Sequence, residues 1–194
     1  MNKIHSFLTL LFVLITCNLQ AQDKEKKLKS ISVGYFGEMI THPGFKVSLS
    51  YHIFQWENEK KNNKTIKKSV SINPSIGGYY HRRYQTGIVA LPEFAYNRTN
   101  SKGNSFSIGS GAGYLRTFIP NTYKVTNTGD VKKVNAGYNY FMTNVFMSFD
   151  KKLKWATKNP VHLYIKPQFM YALPNFPNGV GYFALEIGLK YSLK

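Results

Sequence analysis

The sequence predicts an all-β fold: an eight-stranded antiparallel up-and-down β-barrel. Apolar and polar residues alternate from Phe45 to Ile53, and successive side chains of a strand point to opposite faces. Variants of this alternation recur about eight times, and no window after residue 21 keeps a helical period. The segments exceed the about 5 to 6 residues usual for strands in soluble sandwiches. The predicted strands are residues 28–38, 43–56, 68–81, 86–98, 103–118, 134–149, 160–173 and 179–193.

Each predicted strand has one apolar face, which a barrel wall in a membrane turns toward lipid. The interleaved face carries mostly polar residues, which would fill the lumen. The apolar positions, strand by strand, are Ile31, Val33, Tyr35; Phe45, Val47, Leu49, Tyr51, Ile53; Val70, Ile72, Ile76; Ile88, Phe94, Tyr96; Phe106, Ile108; Val145, Met147, Phe149; Val161, Leu163, Ile165, Phe169; and Phe183, Leu185, Ile187, Leu189, Tyr191.

Aromatic residues gather near the predicted strand ends, as the two interfacial girdles of a membrane barrel require. One predicted rim holds Trp56, Tyr96, Phe149 and Tyr191, and the other holds Tyr35, Phe45, Tyr80, Phe118 and Tyr171. An even number of strands leaves both chain ends on one side. The connections on the opposite side are residues 39–42, 82–85, 119–133 and 174–178, of which 119–133 is the longest predicted loop.

Several residues interrupt the predicted strands. Proline removes a hydrogen-bond donor from the ladder, so bulges are expected at Pro74, Pro92 and Pro167. The alternation also slips at 139–143, where a further bulge is expected. Three glycines on one face of the fifth strand indicate a crowded or bent stretch of lumen: Gly109, Gly111 and Gly113.

Residues 1–21 have the features of a secretory signal peptide: Lys3, an apolar run over 7–16 and a small residue at Ala21. The apolar run is too short to span a bilayer as a helix. Cys17 follows it, so lipidation at Cys17 and simple cleavage after Ala21 both stay open. Simple cleavage would leave a chain without cysteine, because Cys17 is the single cysteine.

Residues 22–194 are predicted to form one domain, since no linker-like stretch divides them. The formal net charge of +17 favours attraction to phosphate-rich surfaces. A signal peptide and the absence of any recognition-helix pattern argue against nucleic acid. Phosphorylated lipid headgroups are therefore the expected partner.

The signal peptide, the eight alternating strands and the aromatic rims resemble the small eight-stranded outer-membrane barrels of the OmpA, OmpX and OmpW type. The resemblance covers residues 28–193 and implies a monomeric transmembrane barrel in a Gram-negative outer membrane, without a cofactor. Many members of that group end in an aromatic residue. This chain ends Tyr191-Ser-Leu-Lys194, so Tyr191 or Leu193 would have to take that role.

Five ionisable side chains are expected inside the barrel: Glu93, Glu186, Lys166, Lys190 and His52. The interior of an eight-stranded barrel is just wide enough for side chains to fill it. Buried charges there must be paired, because an unpaired charge away from water is costly. The sequence therefore favours a salt-bridged plug over an ion pathway.

Six basic residues are expected at or above the outer rim: Arg82, Arg83, Arg116, Lys124, Lys132 and Lys133. They are candidates for contact with lipopolysaccharide phosphates, which arginine can bind in a bidentate manner. A generally basic, solvated rim is the equally weighted alternative.

We expect a structural or surface-binding protein without catalysis, and no residue spacing resembles a metal site. Three alternatives remain. The first is a narrow channel or a transporter of a small apolar ligand, as the OmpW resemblance allows. The second is a lipid A modifying hydrolase centred on His42, with Glu38 and Thr41 nearby. The third is a soluble lipocalin-like barrel with the two faces exchanged.

Overall fold

The computed structural model describes residues 28–38, 43–60, 64–81, 85–153, 160–173 and 179–193. Every regular element in these ranges is a strand, and no helix there is long and apolar enough to cross a membrane. Residues 1–27, including the predicted signal peptide, lie outside the described ranges. The strands are β1 Leu28–Glu38, β2 Gly44–Lys60, β3 Lys64–Asn73, β4 Ser75–Tyr80, β5 Thr86–Ala90, β6 Glu93–Thr99, β7 Ser105–Val125, β8 Val131–Ala136, β9 Asn139–Lys152, β10 Val161–Leu173 and β11 Val180–Ser192.

The strands close into a ring with eight positions, which confirms the predicted antiparallel up-and-down barrel. β1 pairs with β2 on one side and with β11 on the other, so the sheet has no open edge in the wall. β3 and β4 together form the third position, and β5 and β6 form the fourth. β8 pairs with β7 alone and stands apart from the wall. We call the end that holds residues 28 and 193 the lower end, and the end that holds β8 the upper end.

The predicted apolar face is the outside of this barrel. Along β9, Asn144 and Phe146 are buried in the lumen, whereas Val145 and Met147 are exposed on the outer wall. The aromatic residues of both rims are exposed on the outside at their predicted ends, except that Tyr171 is half-buried. The rings of Trp56 and Tyr96 lie 6.1 Å apart at the lower rim.

The expected bulges at Pro74, Pro92 and Pro167 are wrong. The β2 pairing has one register on both sides of Pro74, as do the pairings of β7 around Pro92 and of β10 around Pro167. Proline lacks only the donor, and its carbonyl stays in the ladder: Leu49 N donates to Pro74 O at 3.0 Å and Ala112 N to Pro92 O at 3.3 Å. No extra residue is therefore needed.

The bulge expected at 139–143 is wrong too, because β9 pairs with β7 in one register from Asn139 onward. Tyr140 turns inward and Phe141 outward, so the alternation continues with an aromatic residue on each face. The register does shift between His52 and Phe54 in β2. This shift places Phe54 and Trp56 outside, although the strand above it exposes odd-numbered residues such as Phe45.

Two predicted loops are largely strand. The lower connection between the predicted strands 43–56 and 68–81 is one of them: residues 57–60 and 64–67 continue β2 and β3, which pair as far as Lys60 and Lys64. The upper loop expected at 119–133 is mostly a hairpin, because β7 continues to Val125 and pairs there with β8. Its turn closes with Thr126 N donating to Asp130 O at 2.8 Å, and Gly129 supplies the left-handed residue with φ of 86°. We call residues 117–136 the outer hairpin.

The glycine face of β7 makes room for large lumen side chains, as predicted. A Cβ atom built on Gly111 would lie 2.6 Å from Pro92 O, 2.8 Å from Asn144 Oδ1 and 2.9 Å from Glu93 Cγ. The neighbouring Ser110 points outward and is exposed. Glycine at position 111 thus lets the wall approach the buried glutamate.

We expect Gly111→Val to destabilise the barrel, because the added methyl groups overlap Glu93 and Asn144, and overpacking of this kind costs about 1–3 kcal/mol. Ser110→Val is the matched control, since its side chain lies outside. The measurement is urea unfolding of both variants in detergent. Equal stabilities of the two variants would contradict the crowded-lumen account.

Candidate functional site in the lumen and the outer hairpin

The centre of the lumen holds two lysines and two glutamates, which we call the charge cluster: Lys46, Glu93, Lys166 and Glu186. They lie on strands from different sides of the wall. Lys166 and Glu186 are cross-strand partners on β10 and β11, Lys46 comes from β2, and Glu93 begins β6 directly after Pro92. Each side chain belongs to the inward set of its strand, so the alternation of the wall brings all four together.

Each lysine of the charge cluster lies between the two glutamates. Lys46 Nζ lies 2.9 Å from Glu93 Oε1 and 3.3 Å from Glu186 Oε2. Lys166 Nζ lies 2.6 Å from Glu93 Oε2 and 3.5 Å from Glu186 Oε2. Lys46 and Glu93 are 1% exposed and Glu186 is 2% exposed. The cluster is formally neutral, which is the condition for retaining four charges away from water.

Neutral side chains complete the hydrogen bonding of the two glutamates. Asn144 Nδ2 donates to Glu93 Oε1 at 2.9 Å, and Tyr164 Oη donates to Glu186 Oε1 at 2.7 Å. Gln168 accepts from Asn144 at 3.0 Å, which links the two halves of the network. Lys166 Nζ also lies 4.1 Å from the centre of the Phe146 ring, a cation–π contact. The network fixes the cluster from several strands at once.

Above the charge cluster the lumen is apolar, whereas the sequence analysis predicts mostly polar residues in the lumen. We call this layer the upper core, and it encloses a cavity of only about 30 Å³. Tyr79, Tyr140 and Tyr182 pack against it. Its buried members are Phe36, Val89, Leu91, Leu115, Met142, Met170, Ala172 and Ala184.

Below the charge cluster the lumen is polar and more open. A small cavity of about 50 Å³ beside Glu93 and Lys166 lies next to a larger one of about 240 Å³, which we call the lower chamber. Lys190 lines this region and forms an ion pair with Asp150, which also accepts a hydrogen bond from Ser148 Oγ at 2.6 Å. The lumen thus changes from apolar, through charged, to hydroxyl-lined from the upper to the lower end.

The structure brings together three of the five predicted lumen residues: Glu93, Glu186 and Lys166. Lys190 pairs with Asp150 instead, and His52 lies in the lower chamber, where Nδ1 is 3.4 Å from Gln55 Oε1. Sequence reasoning missed Lys46 and Asp150. Both could have been found, because Lys46 lies between outward Phe45 and Val47, and Asp150 follows outward Phe149.

The predicted basic rim is only partly described. Arg82 and Arg83 lie outside the described ranges, as does His42. Arg116 is on the outer wall, where Nη1 donates to Asn139 Oδ1 at 2.7 Å and the guanidinium lies 5.5 Å from the centre of the Phe118 ring. The three predicted lysines are on the outer hairpin: Lys124, Lys132 and Lys133.

The outer hairpin exposes basic and apolar side chains together. Lys124 and Lys132 are cross-strand partners, and Lys133 pairs with Tyr123. Tyr123 is 57% exposed, and Val125 and Val131 are exposed beside it. Like charges directly opposite one another are destabilising in a sheet, so an anion bound between Lys124 and Lys132 would relieve this repulsion.

Within the described ranges, no three histidine, cysteine, aspartate or glutamate side chains come close enough to hold a metal ion. The charge cluster has no open position for a ligand, because its lysines and glutamates are bound to one another.

Comparison with known proteins finds similar solved structures, all of low sequence identity. No family model matches the chain, and no curated protein matches it. The N-terminal β-barrel domain of Pseudomonas aeruginosa OprF is 13% identical, with a TM-score of 0.46 over 84% of this chain and 97% of that one. The outer membrane protein Ail of Yersinia pestis is 12% identical, with a TM-score of 0.31 over 86% of this chain and 100% of that one.

The β domain of the Bordetella autotransporter BrkA is a further similar structure, with 9% identity and a TM-score of 0.22 over 85% of this chain and 98% of that one. At these levels of similarity no residue role is carried over. The strand pairing and the lumen contacts described above stand on this chain alone.

The stability of the barrel should depend more on the charge balance of the charge cluster than on any single contact within it. We expect Lys46→Met to destabilise the barrel by about 3–5 kcal/mol, because it leaves an uncompensated buried glutamate. Adding Glu186→Gln should recover part of this loss, since the remaining Lys166 and Glu93 balance. Urea unfolding in detergent measures both variants.

Lys67→Met is the control for this series. Lys67 Nζ lies 2.7 Å from Glu57 Oε1, but both side chains are about half exposed, so we expect an effect below about 1 kcal/mol. A double variant less stable than Lys46→Met alone would contradict the charge-balance account.

Proposed function

We propose that this protein is a non-conducting outer-membrane barrel that holds the outer hairpin at the membrane surface, where the hairpin binds the phosphate groups of lipopolysaccharide. The observation that carries the proposal is the combination of an apolar outer wall with a lumen closed by the charge cluster and the upper core. In this role the protein acts by binding, without catalysis and as a monomer.

The outer wall supports insertion in a membrane. Large apolar side chains cover it at mid-height: Phe94 is 55% exposed, Ile108 50% and Val145 56%. Exposed apolar patches of this extent are rare on soluble monomers. A closed barrel also satisfies its backbone hydrogen bonds within the sheet, as a lipid environment requires. The exported chain that the first 21 residues predict fits an outer-membrane destination.

The lumen supports a barrel without a pore. An ion or sugar would have to pass the charge cluster, whose members are at most 6% exposed, and then the upper core with its cavity of about 30 Å³. A channel along the lumen would require both layers to open. The hydrolase alternative rests on His42, which lies outside the described residues.

Liposome flux separates the structural role from transport. We expect liposomes that contain the folded barrel to release glucose and small ions no faster than protein-free liposomes, because the two closed layers block the lumen. A liposome sample with a known porin provides the positive control. Flux well above the protein-free rate would contradict the closed lumen and support the channel.

The outer hairpin supports binding to an anionic surface. Lys133 shares one face of the hairpin with Tyr123, Val125 and Val131, whereas Lys124 and Lys132 lie on the other face. Basic residues near an anionic membrane surface contribute about 1 kcal/mol each. The apolar and aromatic side chains can contact the headgroup region while the lysines contact phosphates. The charge and the apolar surface thus point to one partner, a phosphorylated lipid.

We expect the triple variant Lys124→Gln, Lys132→Gln and Lys133→Gln to bind purified lipopolysaccharide micelles at least about tenfold more weakly, because three phosphate contacts of about 1 kcal/mol each are lost. Thermophoresis of the folded protein in detergent measures the affinity. The matched control replaces three exposed lysines at the lower end, Lys102, Lys151 and Lys152, by glutamine.

The two triple variants remove equal charge, so they separate a local site from general attraction. Full binding by the control and weak binding by the hairpin variant support the proposal. Equal loss of affinity in both variants would show attraction to net charge alone. No loss of affinity in either variant would show that the lysines of the outer hairpin do not bind lipopolysaccharide.

A further inference from the structure

The lower chamber is a second candidate binding region, at the end of the barrel opposite the outer hairpin. It has a volume of about 240 Å³ and is bounded above by the charge cluster and the polar cavity beside it. Ligand pockets for drug-sized molecules usually measure about 300–1,000 Å³. The lower chamber can therefore accept a single small molecule, and the closed lumen makes it a blind pocket.

The charges of the lower chamber favour an anion. Its ionisable lining consists of Lys29, Lys190, His52, His162 and Asp150. Asp150 is already bound to Lys190 and to Ser148. Among the described residues Lys29 has no ion-pair partner, and it lines the lower chamber together with Lys190 and His52. An entering anion would meet Lys29 and two imidazoles, because Lys190 and Asp150 neutralise each other.

The rest of the lining favours a ligand rich in hydroxyl groups. Seven serine and threonine side chains and the amide of Asn97 line the lower chamber. Hydroxyl and amide groups both donate and accept hydrogen bonds, so they suit the hydroxyl groups of a sugar or polyol. Apolar side chains make almost no contribution, since Leu193 is the one aliphatic residue of the lining.

We propose that the lower chamber binds a small hydroxylated anion, in which a phosphate or carboxylate group is carried on a sugar. The anionic group lies near Lys29 and His52, and the sugar hydroxyls contact the serine and threonine side chains. This inference is independent of the outer hairpin, because the two sites are at opposite ends of the barrel and share no residue.

The test uses the folded full-length barrel in detergent, with NMR detection of the imidazole groups of His52 and His162. The probes are glucose 6-phosphate, glucuronate, inorganic phosphate and neutral glucose. We expect saturable shifts of both imidazoles with the two sugar anions, weaker binding of phosphate and no saturable shift with glucose. The stronger of the two sugar anions identifies phosphate or carboxylate as the preferred group.

Variants of Lys29 test the site itself. Lys29→Gln should weaken sugar-anion binding about tenfold, which corresponds to about 1.4 kcal/mol, and Lys29→Arg should restore it because the charge returns. Lys151→Gln is the matched control, since Lys151 is exposed on the outer side of the same end. Migration of unboiled samples on a detergent gel verifies that each variant is folded.

Three results would overturn the inference: no saturable shift with any probe, equal binding of glucose and the sugar anions, or equal weakening by Lys29→Gln and Lys151→Gln. The last result would show general attraction to a basic protein. Saturable binding that Lys29→Gln weakens and Lys29→Arg restores would establish the site.

Discussion

The closed hydrogen-bonded ring is the constraint on which the rest of this structure depends. Because β1 pairs with both β2 and β11, each wall position has two neighbours, and the backbone needs no water on the outer wall. Because the sheet is closed, alternate side chains of each strand point into the lumen and the others point to the outside. The apolar wall, the charge cluster and the lower chamber are all consequences of that division.

The interior shows how a narrow barrel keeps charged groups buried. Four charges from β2, β6, β10 and β11 neutralise one another, and Asn144, Tyr164 and Gln168 supply the remaining hydrogen bonds. Removing one charge is costly because the others stay buried, whereas the exposed Lys67–Glu57 pair is surrounded by water. The charge cluster thus ties distant strands together and closes the lumen.

Much of the fold could be predicted from the sequence, because a period of two residues identifies both strands and faces. Phe94 and Glu93, adjacent in sequence, lie outside and inside the barrel as the alternation predicts. The partners in the charge cluster could not be predicted, since Lys166 and Glu93 are 73 residues apart and meet only through the closed ring. Lys46 and the apolar upper core carry the same alternation signal but were not identified.

Other features depend on strand pairing, which cannot be recognised from the alternation of residues alone. Proline was expected to force bulges, yet Pro74 and Pro92 keep their carbonyl groups in the ladder and the register is unchanged. Residues 119–133 are predicted as a loop, although Tyr123, Val125 and Val131 alternate with polar residues in the manner of strands. The outer hairpin that results carries three lysines on one pair of strands.

The orientation of the wall toward lipid is the central claim, and site-directed spin labelling in liposomes tests it most directly. Single cysteines replace Phe94, Ile108, Val145 and Met147 on the outer wall, with Asp130 at the hairpin turn as the aqueous reference, in a chain without Cys17. Labels at the four wall positions should be accessible to dissolved oxygen and protected from a water-soluble nickel complex, whereas the label at 130 should contact the nickel complex. Access of the nickel complex to the wall labels would contradict a membrane-facing wall.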